Sequence, residues 1–512
     1  MHSDESLPLI RRLRQEVLFA RQRIYRAGSP TPLERIELND FGGEIWVKRE
    51  DVSPIKAYKW RGAFNRMAVL TKEEREAGVV TASAGNHAQG VALAAGILGV
   101  RAEIYMPGTT PQVKQDAVRR LGGEWVEIVL TGDAYDEAVA AAHERSAASG
   151  ATFVHAYDDL HVMAGQGTLA DEVVMSGKGP FDVAFLQIGG GGMAAGVGCW
   201  LKTFWPDIKL IGVEGTDQAS MRAAMAAGKP VRLDAIDIFC DGTAVRQAGD
   251  LPFQICEEVL DDIITVSNQE VSEAIRTMWN GLRAIPEPSG AMGLAGALQV
   301  RHQLEGKRVL SILCGANLDF SKLALVAESV SANNTERHFL RINIPESPGS
   351  MLRLLDNVLV GLSINDFLYG KTDNSEAWPI FGIDCPADQL QAVRQRLEND
   401  GYRWEDVSGG EDIEYRAIPC HAELLNCPVF LSLEFYERHG ALHDFLSNTI
   451  RDRANLCYFN YRYTGERIGR ALIGLEFGDA EQRDAFLEWL PSSGKGYRFC
   501  RPVSDRVWQR MI

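Results

Sequence analysis

The sequence predicts an α/β protein: a two-lobed body of parallel or mixed sheets covered by helices, followed by two small α+β modules. Three observations carry this. From about residue 40 to 320, short β-branched runs alternate with Ala-rich stretches. Those runs are continuously apolar, as strands covered on both faces are. After about residue 330, a strand–turn–helix–strand pattern occurs twice.

Taken in order, strands are expected in "EIWVK" (44–48), "GVVTAS" (78–83), "RAEIYMP" (101–107), "EWVEIVL" (124–130), "DVAFLQI" (182–188), "IKLIGVE" (208–214) and "RVLSILC" (308–314). Helices are expected in "HAQGVALAAGILG" (87–99) and "DAYDEAVAAAHERSAA" (133–148). The span is too long for one such unit, so two lobes are expected within residues 1–330, the smaller covering roughly 60–157. "SANNTER" (331–337) reads as a linker. Beyond it, "HFLRINIPESPGSMLRLLDNVL" and "FLSLEFYERHGALHDFLSNTI" each read as strand, turn and amphipathic helix, followed by the similar strands "SINDFLYGKT" and "NLCYFNYRYT". Modules are therefore expected over 335–410 and 411–512, with regulation or dimerisation as their two natural roles.

With 46% apolar and 24% charged residues, the composition is that of a soluble globular protein. A formal charge of −16 argues against nucleic acid or an anionic membrane as a partner. No apolar run is long enough to span a bilayer, and "MHSDESLPLIRRLRQEV" reads as neither a secretory signal nor a transit peptide, so a cytoplasmic location is expected. The nine cysteines include no C-x-x-C, which fits reduced thiols better than disulfides or zinc. Neither H-E-x-x-H nor G-x-S-x-G occurs, and no metal site is expected.

Four segments carry candidate chemistry. "SPIKAYKWRGA" (53–63) sets Lys56 and Lys59 among apolar residues, and Ser53-Pro54 reads as a helix start that places both lysines in early turns. "TASAGNHAQG" (81–90) follows a strand and opens a helix; Ser83, Ala84, Gly85, Asn86 and His87 form a loop that an anionic carboxylate can approach, though Ser83 serving only as a cap is an equal alternative. "DVAFLQIGGGGMAAGVG" (182–198) offers Gly189, Gly190, Gly191 and Gly192 as a phosphate cradle. Gly190, Gly192 and Ala195 also satisfy G-x-G-x-x-A, with Glu214 placed as a ribose-binding acid, so an NAD-dependent oxidoreductase is a rival reading. "VLSILCGANLDF" (309–320) ends a strand at Cys314, either a neutral partner for a ring nitrogen or a small core residue. A phosphate cradle, a carboxylate loop, a ring-nitrogen partner and a lysine held out of water are together the parts that pyridoxal phosphate and an amino acid require.

These residues resemble the fold-type-II pyridoxal phosphate enzymes, and among them the biosynthetic threonine dehydratase family. "KREDVSPIKAYKWRGA" is similar to the family's lysine motif and implies that Lys59, not Lys56, carries the cofactor. "SAGNHAQG" resembles the substrate loop, which implies carboxylate binding by Ser83 to Asn86, with His87 adjoining and Asn86 also at the ring hydroxyl. "GGGGMAAGV" resembles the phosphate loop, Gly189 to Met193; "MAGQGT", "DGTAV" and "EPSGA" are further similarities. The tail resembles paired ACT-like regulatory domains, which implies effector sites at Tyr369 and Tyr461; "FNYR" is intact in the second copy but reads "FLYG" in the first.

Three departures stand out. Cys314 replaces the usual serine, Ala57 replaces a common serine, and Ala84 occupies the place where related serine racemases carry a reprotonating serine, which favours elimination over racemisation. The resemblance implies dehydration and deamination of L-threonine to 2-oxobutanoate and ammonia, the first step of isoleucine biosynthesis. It also implies feedback by isoleucine, with valine a second candidate effector, a homotetramer, and the cofactor phosphate as the acid for the leaving hydroxyl. L-serine dehydratase, or another β-eliminating or β-replacing lyase, shares every core motif.

Overall fold

The computed structural model describes residues 7–38 and 41–319, and beyond them 322–323, 326–327, 336–345, 350–360, 362–368, 375–410, 413, 425–436, 450, 453–461, 468–493, 497 and 499–504. The chain divides into two compact units, Met1–Asp319 and Phe320–Ile512.

In the first unit, helix α1 (Leu9–Ile24) precedes strands β1 (Leu33–Ile36) and β2 (Glu44–Arg49). Helices α2 (Trp60–Ala68) and α3 (Lys72–Ala77) lead into β3 (Val79–Ala82), α4 (Asn86–Leu98), β4 (Ala102–Met106), α5 (Gln112–Gly122), β5 (Val126–Leu130), α6 (Tyr135–Ser149) and β6 (Thr152–Phe153). Then follow α7 (Leu160–Met175), β7 (Val183–Gln187), α8 (Gly192–Phe204), β8 (Lys209–Gly215), α9 (Ser220–Ala227), α10 (Asp250–Val259), β9 (Asp262–Val266), α11 (Asn268–Leu282), α12 (Pro288–Gln299) and β10 (Arg308–Leu313).

Two sheets result, one per lobe. The larger runs β1-β2-β10-β7-β8-β9, parallel except for β1; the smaller runs β5-β4-β3-β6 and is wholly parallel. Every expected strand run forms a strand. Three further strands were not legible as such: β1 (LERI) and β9 (DIITV) are edge strands with polar or part-exposed positions, and β6 is two residues long.

The Ser53-Pro54 helix start is corrected. Ser53 Oγ accepts the Ala57 N–H at 3.0 Å and donates to the Ala57 carbonyl at 2.9 Å, closing a turn instead. The Tyr58 N–H then bonds the Cys314 carbonyl, and the Ala316 N–H bonds the Lys56 carbonyl, so this backbone pairs with the end of β10. Lys56 is exposed with φ of 58°, and helix α2 begins only at Trp60, with Lys59 as its N-cap.

The helices around α2 cross without side chains between them. A Cβ on Gly165 of α7 would lie 2.5 Å from the Arg61 carbonyl and 2.6 Å from Gly62 Cα. One on Gly196 of α8 would collide with the Met163 carbonyl of α7. Both distances are shorter than real Cβ contacts, so the crossings depend on glycine.

The second unit holds two four-stranded antiparallel sheets of like order: 363–368, 380–385, 336–342, 404–406 in one and 455–461, 468–476, 429–436, 499–502 in the other. Each first strand carries a register shift, between Ile364 and Asp366 and between Leu456 and Tyr458. Each sheet has its own apolar core, around Leu340, Phe381 and Ile383 in one and Leu433, Ile473 and Phe477 in the other. The helix expected near 350 spans Ser350–Asn357. The helix expected near 440–450, and residues 331–335 of the expected linker, lie outside the described residues; Glu336 and Arg337 already belong to a strand. Among the described residues no helix is long and apolar enough to cross a membrane.

Substituting Gly196→Ala forces α7 and α8 apart and is expected to cost about 1–3 kcal/mol of unfolding free energy, read by urea denaturation.

Candidate active site

Lys59 lies where α2 meets the C-terminal end of β10. Its Nζ donates to the Ala156 carbonyl at 3.0 Å, and the residue as a whole is part-buried. Burial pulls its ammonium down from 10.5 to about 8; the nearby Cys314 thiol and Glu287 carboxyl pull the other way. An amine of that kind is largely neutral at slightly alkaline pH, as a nucleophile or proton acceptor must be.

The loop after β3 lines the cleft between the two lobes. Gly85 is the N-cap of α4, no side chain caps that helix, and a Cβ on Gly85 would meet nothing within 4 Å. Ser83 is therefore not the cap; its Oγ accepts the Gly85 N–H at 3.2 Å. Ser83, Ala84, Gly85 and Asn86 are part-exposed, whereas His87 is buried, its Nε2 3.0 Å from the Val154 carbonyl and its pKa pushed by burial to about 3. His87 is a neutral ring facing the small lobe.

The four glycines follow β7 and open α8. Gly191 has φ of 91° and is the N-cap, with no side-chain cap, so the N–H groups of Gly192, Met193 and Ala194 have no intrahelical acceptor. A Cβ on Gly190 would collide with the Tyr157 ring, and one on Gly192 would lie 2.8 Å from the Tyr157 carbonyl. Met193 contributes through its backbone alone, since its side chain is buried in the large-lobe core. The result is a bare, donor-rich cradle suited to a phosphate dianion.

Cys314 has features of both roles read for it. It belongs to the apolar core under the large sheet, and its thiol faces the Ser289 carbonyl at 3.6 Å. Burial pushes that thiol up, so it stays protonated. Two residues not singled out from the sequence stand beside it. Glu287 is buried and accepts from Asn86 Nδ2 at 2.7 Å; burial first, then Asp241, raise its pKa to about 7. Asn317 Nδ2 donates to Asn86 Oδ1 at 2.6 Å and to the Ile55 carbonyl at 2.8 Å. Their only sequence signal was adjacency: Glu287 opens "EPSGA" and Asn317 closes "CGAN".

The dinucleotide reading fails at Glu214. That carboxyl is buried and accepts the backbone N–H groups of Met221 and Arg222, each at 2.8 Å, so it is committed within the fold. Among the described residues no group of three or more His, Cys, Asp or Glu is placed to hold a metal. Tyr369 lies outside the described residues; Tyr461 ends its strand opposite Ala471, and its side chain is likewise outside them.

Directly behind Lys59, Arg61 is wholly buried and bonds Glu50 through Nε and Nη2 (2.9 Å each) and Glu172 through Nη1 and Nη2 (2.6 and 3.0 Å). Lys48 joins Glu172 at 2.6 Å. Burial alone would raise the Glu172 carboxyl, but Arg61 and Lys48 hold it down at about 2. Arg61→Met leaves two carboxylates buried with one cation between them and is expected to cost about 3–5 kcal/mol of unfolding free energy, measured by chemical denaturation.

A lysine of depressed pKa, a glycine cradle at a helix N-terminus and a protonated thiol at a neighbouring strand end fit an aldehyde, a phosphate and a ring nitrogen on one small molecule. Residues 24–315 match the family of pyridoxal-phosphate dependent enzymes, and 328–416 with 426–504 match the C-terminal regulatory domain of threonine dehydratase. The chain is 40% identical over 470 residues to the biosynthetic L-threonine dehydratase IlvA of Haemophilus influenzae, covering 90% of each. It is 35% identical to the chloroplastic biosynthetic threonine dehydratase of Arabidopsis thaliana, covering 89% of this chain and 77% of that one. Among solved structures, the processed threonine deaminase isoform 2 of Solanum lycopersicum aligns at a TM-score of 0.60 and 39% identity, covering 64% of this chain and 96% of that one. Maize serine racemase aligns at 0.57 and 29%, covering 61% and 96%. The chain belongs to the pyridoxal-phosphate dependent enzymes, and within them to the biosynthetic threonine dehydratases that carry a C-terminal regulatory domain.

Proposed function

We propose that the protein dehydrates and deaminates L-threonine to 2-oxobutanoate and ammonia, and that isoleucine restrains it through the C-terminal unit. The observation that carries the chemistry is Lys59, an amine of depressed pKa whose Nζ meets the Ala156 carbonyl, next to Tyr157, against which the glycine cradle packs. The two relatives described above are both named biosynthetic threonine dehydratases.

Bound pyridoxal phosphate supplies an aldehyde that condenses with an amine and a ring that delocalises the electron pair left when an α-proton departs. Gly189 to Gly192, with the first-turn N–H groups of α8, would hold its phosphate, and Cys314, its thiol kept protonated by burial, would be the neutral partner of the ring nitrogen. Lys59 would anchor that aldehyde, and its amine, neutral once free, would take the α-proton. Ser83, Ala84, Gly85 and Asn86 receive the substrate carboxylate at the positive end of α4, where the space in front of Gly85 is open. Ala84 offers no hydroxyl to return a proton to the opposite face, which favours loss of the β-hydroxyl over racemisation. Water is lost with the α-proton and regained on hydrolysis, so the balance is threonine to keto acid and ammonia.

Within this reading, residues 1–330 form the catalytic domain, 335–410 and 411–512 the two regulatory modules with Tyr369 and Tyr461 as effector contacts, and the active species is a cytoplasmic homotetramer, with valine a second effector. A serine dehydratase of the same fold is separated only by relative rates.

The test is keto-acid release from threonine and serine over an isoleucine titration. Faster turnover of threonine, suppressed by isoleucine and reduced at least a thousandfold in Lys59→Ala, is the expected outcome; turnover indifferent to isoleucine removes the regulatory half. A second measurement reads Lys59 itself. Because its pKa is lowered, the neutral amine grows as pH rises through about 8, so the rate at which cofactor-free enzyme captures pyridoxal phosphate should climb with a midpoint near there rather than near 10.5.

A further inference from the structure

The cleft contains an orientation problem that Lys59 and the glycine loop do not address. Asn86 opens α4 with a side-chain amide whose two ends, Oδ1 and Nδ2, are nearly the same shape and opposite in hydrogen-bonding sense. Flipped by 180°, it would present an acceptor where it had presented a donor. The structure supplies a chain of bonds that decides between the two.

The chain starts at a group with no choice. The Ile55 carbonyl is only an acceptor, so the Asn317 amide must turn its nitrogen toward it, and Asn317 Nδ2 does so at 2.8 Å. With that nitrogen fixed, its second N–H is given to Asn86 Oδ1 at 2.6 Å. Asn86 Nδ2 is thereby turned the other way, to Glu287 Oε1 at 2.7 Å. In the flipped state Asn86 would set nitrogen against the Asn317 nitrogen and, wherever Glu287 is ionised, oxygen against its carboxylate, losing both bonds and adding two like-polarity contacts.

The pieces are rigidly held. Glu287 is 4% exposed, its backbone N–H donates to the Gly315 carbonyl at 3.0 Å, and a Cβ on Gly315 would meet its carboxyl. Asn86 comes from the small lobe, while Glu287 and Asn317 flank α12 and β10 of the large one. The bonds therefore also tie the two lobes together at the cleft.

We propose that Glu287 and Asn317 are positioning residues that lock the Asn86 amide in one orientation, so that its remaining N–H is a fixed donor toward the oxygen substituent of the cofactor ring. This rests on the assignment of the cleft as the pyridoxal phosphate site. The isosteric variants separate hydrogen-bond sense from packing. Glu287→Gln keeps an acceptor for Asn86 Nδ2. Asn317→Asp keeps the shape but has no N–H to give, so the lock opens.

The experiment uses purified holoenzyme and reads two things besides turnover: the absorbance spectrum of the bound cofactor, and its dissociation constant on reconstitution. The expected result is a wild-type spectrum and affinity for Glu287→Gln, against a displaced spectrum and roughly tenfold weaker cofactor binding for Asn317→Asp and Glu287→Ala, the loss of one hydrogen bond to a charged group. Wild-type spectra and affinities in Asn317→Asp would overturn the proposal. So would a Glu287→Gln enzyme as altered as Glu287→Ala, which would make the charge, and not the acceptor, the operative feature. Lys59→Ala, run in parallel, tests the site assignment alone: if it retains the covalently held chromophore, the cleft reading fails whatever the other variants do.

Discussion

The buried charges behind Lys59 are the constraint on which the site is built. Arg61, Glu50, Glu172 and Lys48 are two cations and two anions drawn from α2, β2, the turn after β2, and α7. Each would be costly to bury alone; together they are balanced, and every Arg61 nitrogen has a carboxylate to meet. Because Arg61 stands in the first turn of α2 and Lys59 is its cap, the balance fixes the direction in which the lysine leaves the helix. The amine is thus presented to the cleft by electrostatics on the opposite side of its own backbone.

Lys59 illustrates how burial sets the charge of a side chain. Among the described residues no carboxylate bonds it; its Nζ donates to the Ala156 carbonyl, and desolvation outweighs the opposing pull of Cys314 and Glu287, so its pKa falls. Arg61, two residues on, is buried more completely and is held charged by its two partners. The same short segment therefore sets one cation toward neutrality and the other firmly charged, a difference that begins with the higher intrinsic pKa of a guanidinium and is widened by what each side chain meets.

Much of this was legible in the sequence, for physical reasons. Strands covered on both faces must be apolar throughout, so "DVAFLQI" and "RVLSILC" announced themselves. Four consecutive glycines marked a bare turn from strand into helix, and the resemblance implied Lys59 over Lys56; in the structure Lys56 is exposed while Lys59 has the lowered pKa. What was not legible depended on partners distant in the chain. The Ser53-Pro54 signal was overridden because residues 56–58 find hydrogen bonds at 314–316, which no local pattern encodes. Glu287 and Asn317 were invisible for the same reason: their meaning comes from Asn86, about two hundred positions away. Edge strands β1 and β9 escaped because half-exposed strands lack the continuous apolar run.

The paired register shifts in the C-terminal unit have a practical consequence. As many positions separate Asp366 from Tyr458 as separate Phe381 from Ile473, so bulge and partner strand have kept step in both copies. The two hairpins therefore have the same length, whereas the last strands, ending at Asp406 and Pro502, fall outside that spacing. Their side chains differ while their lengths do not. An engineer grafting a new effector specificity onto either module is free to exchange residues along these strands, and should place any added length beyond them.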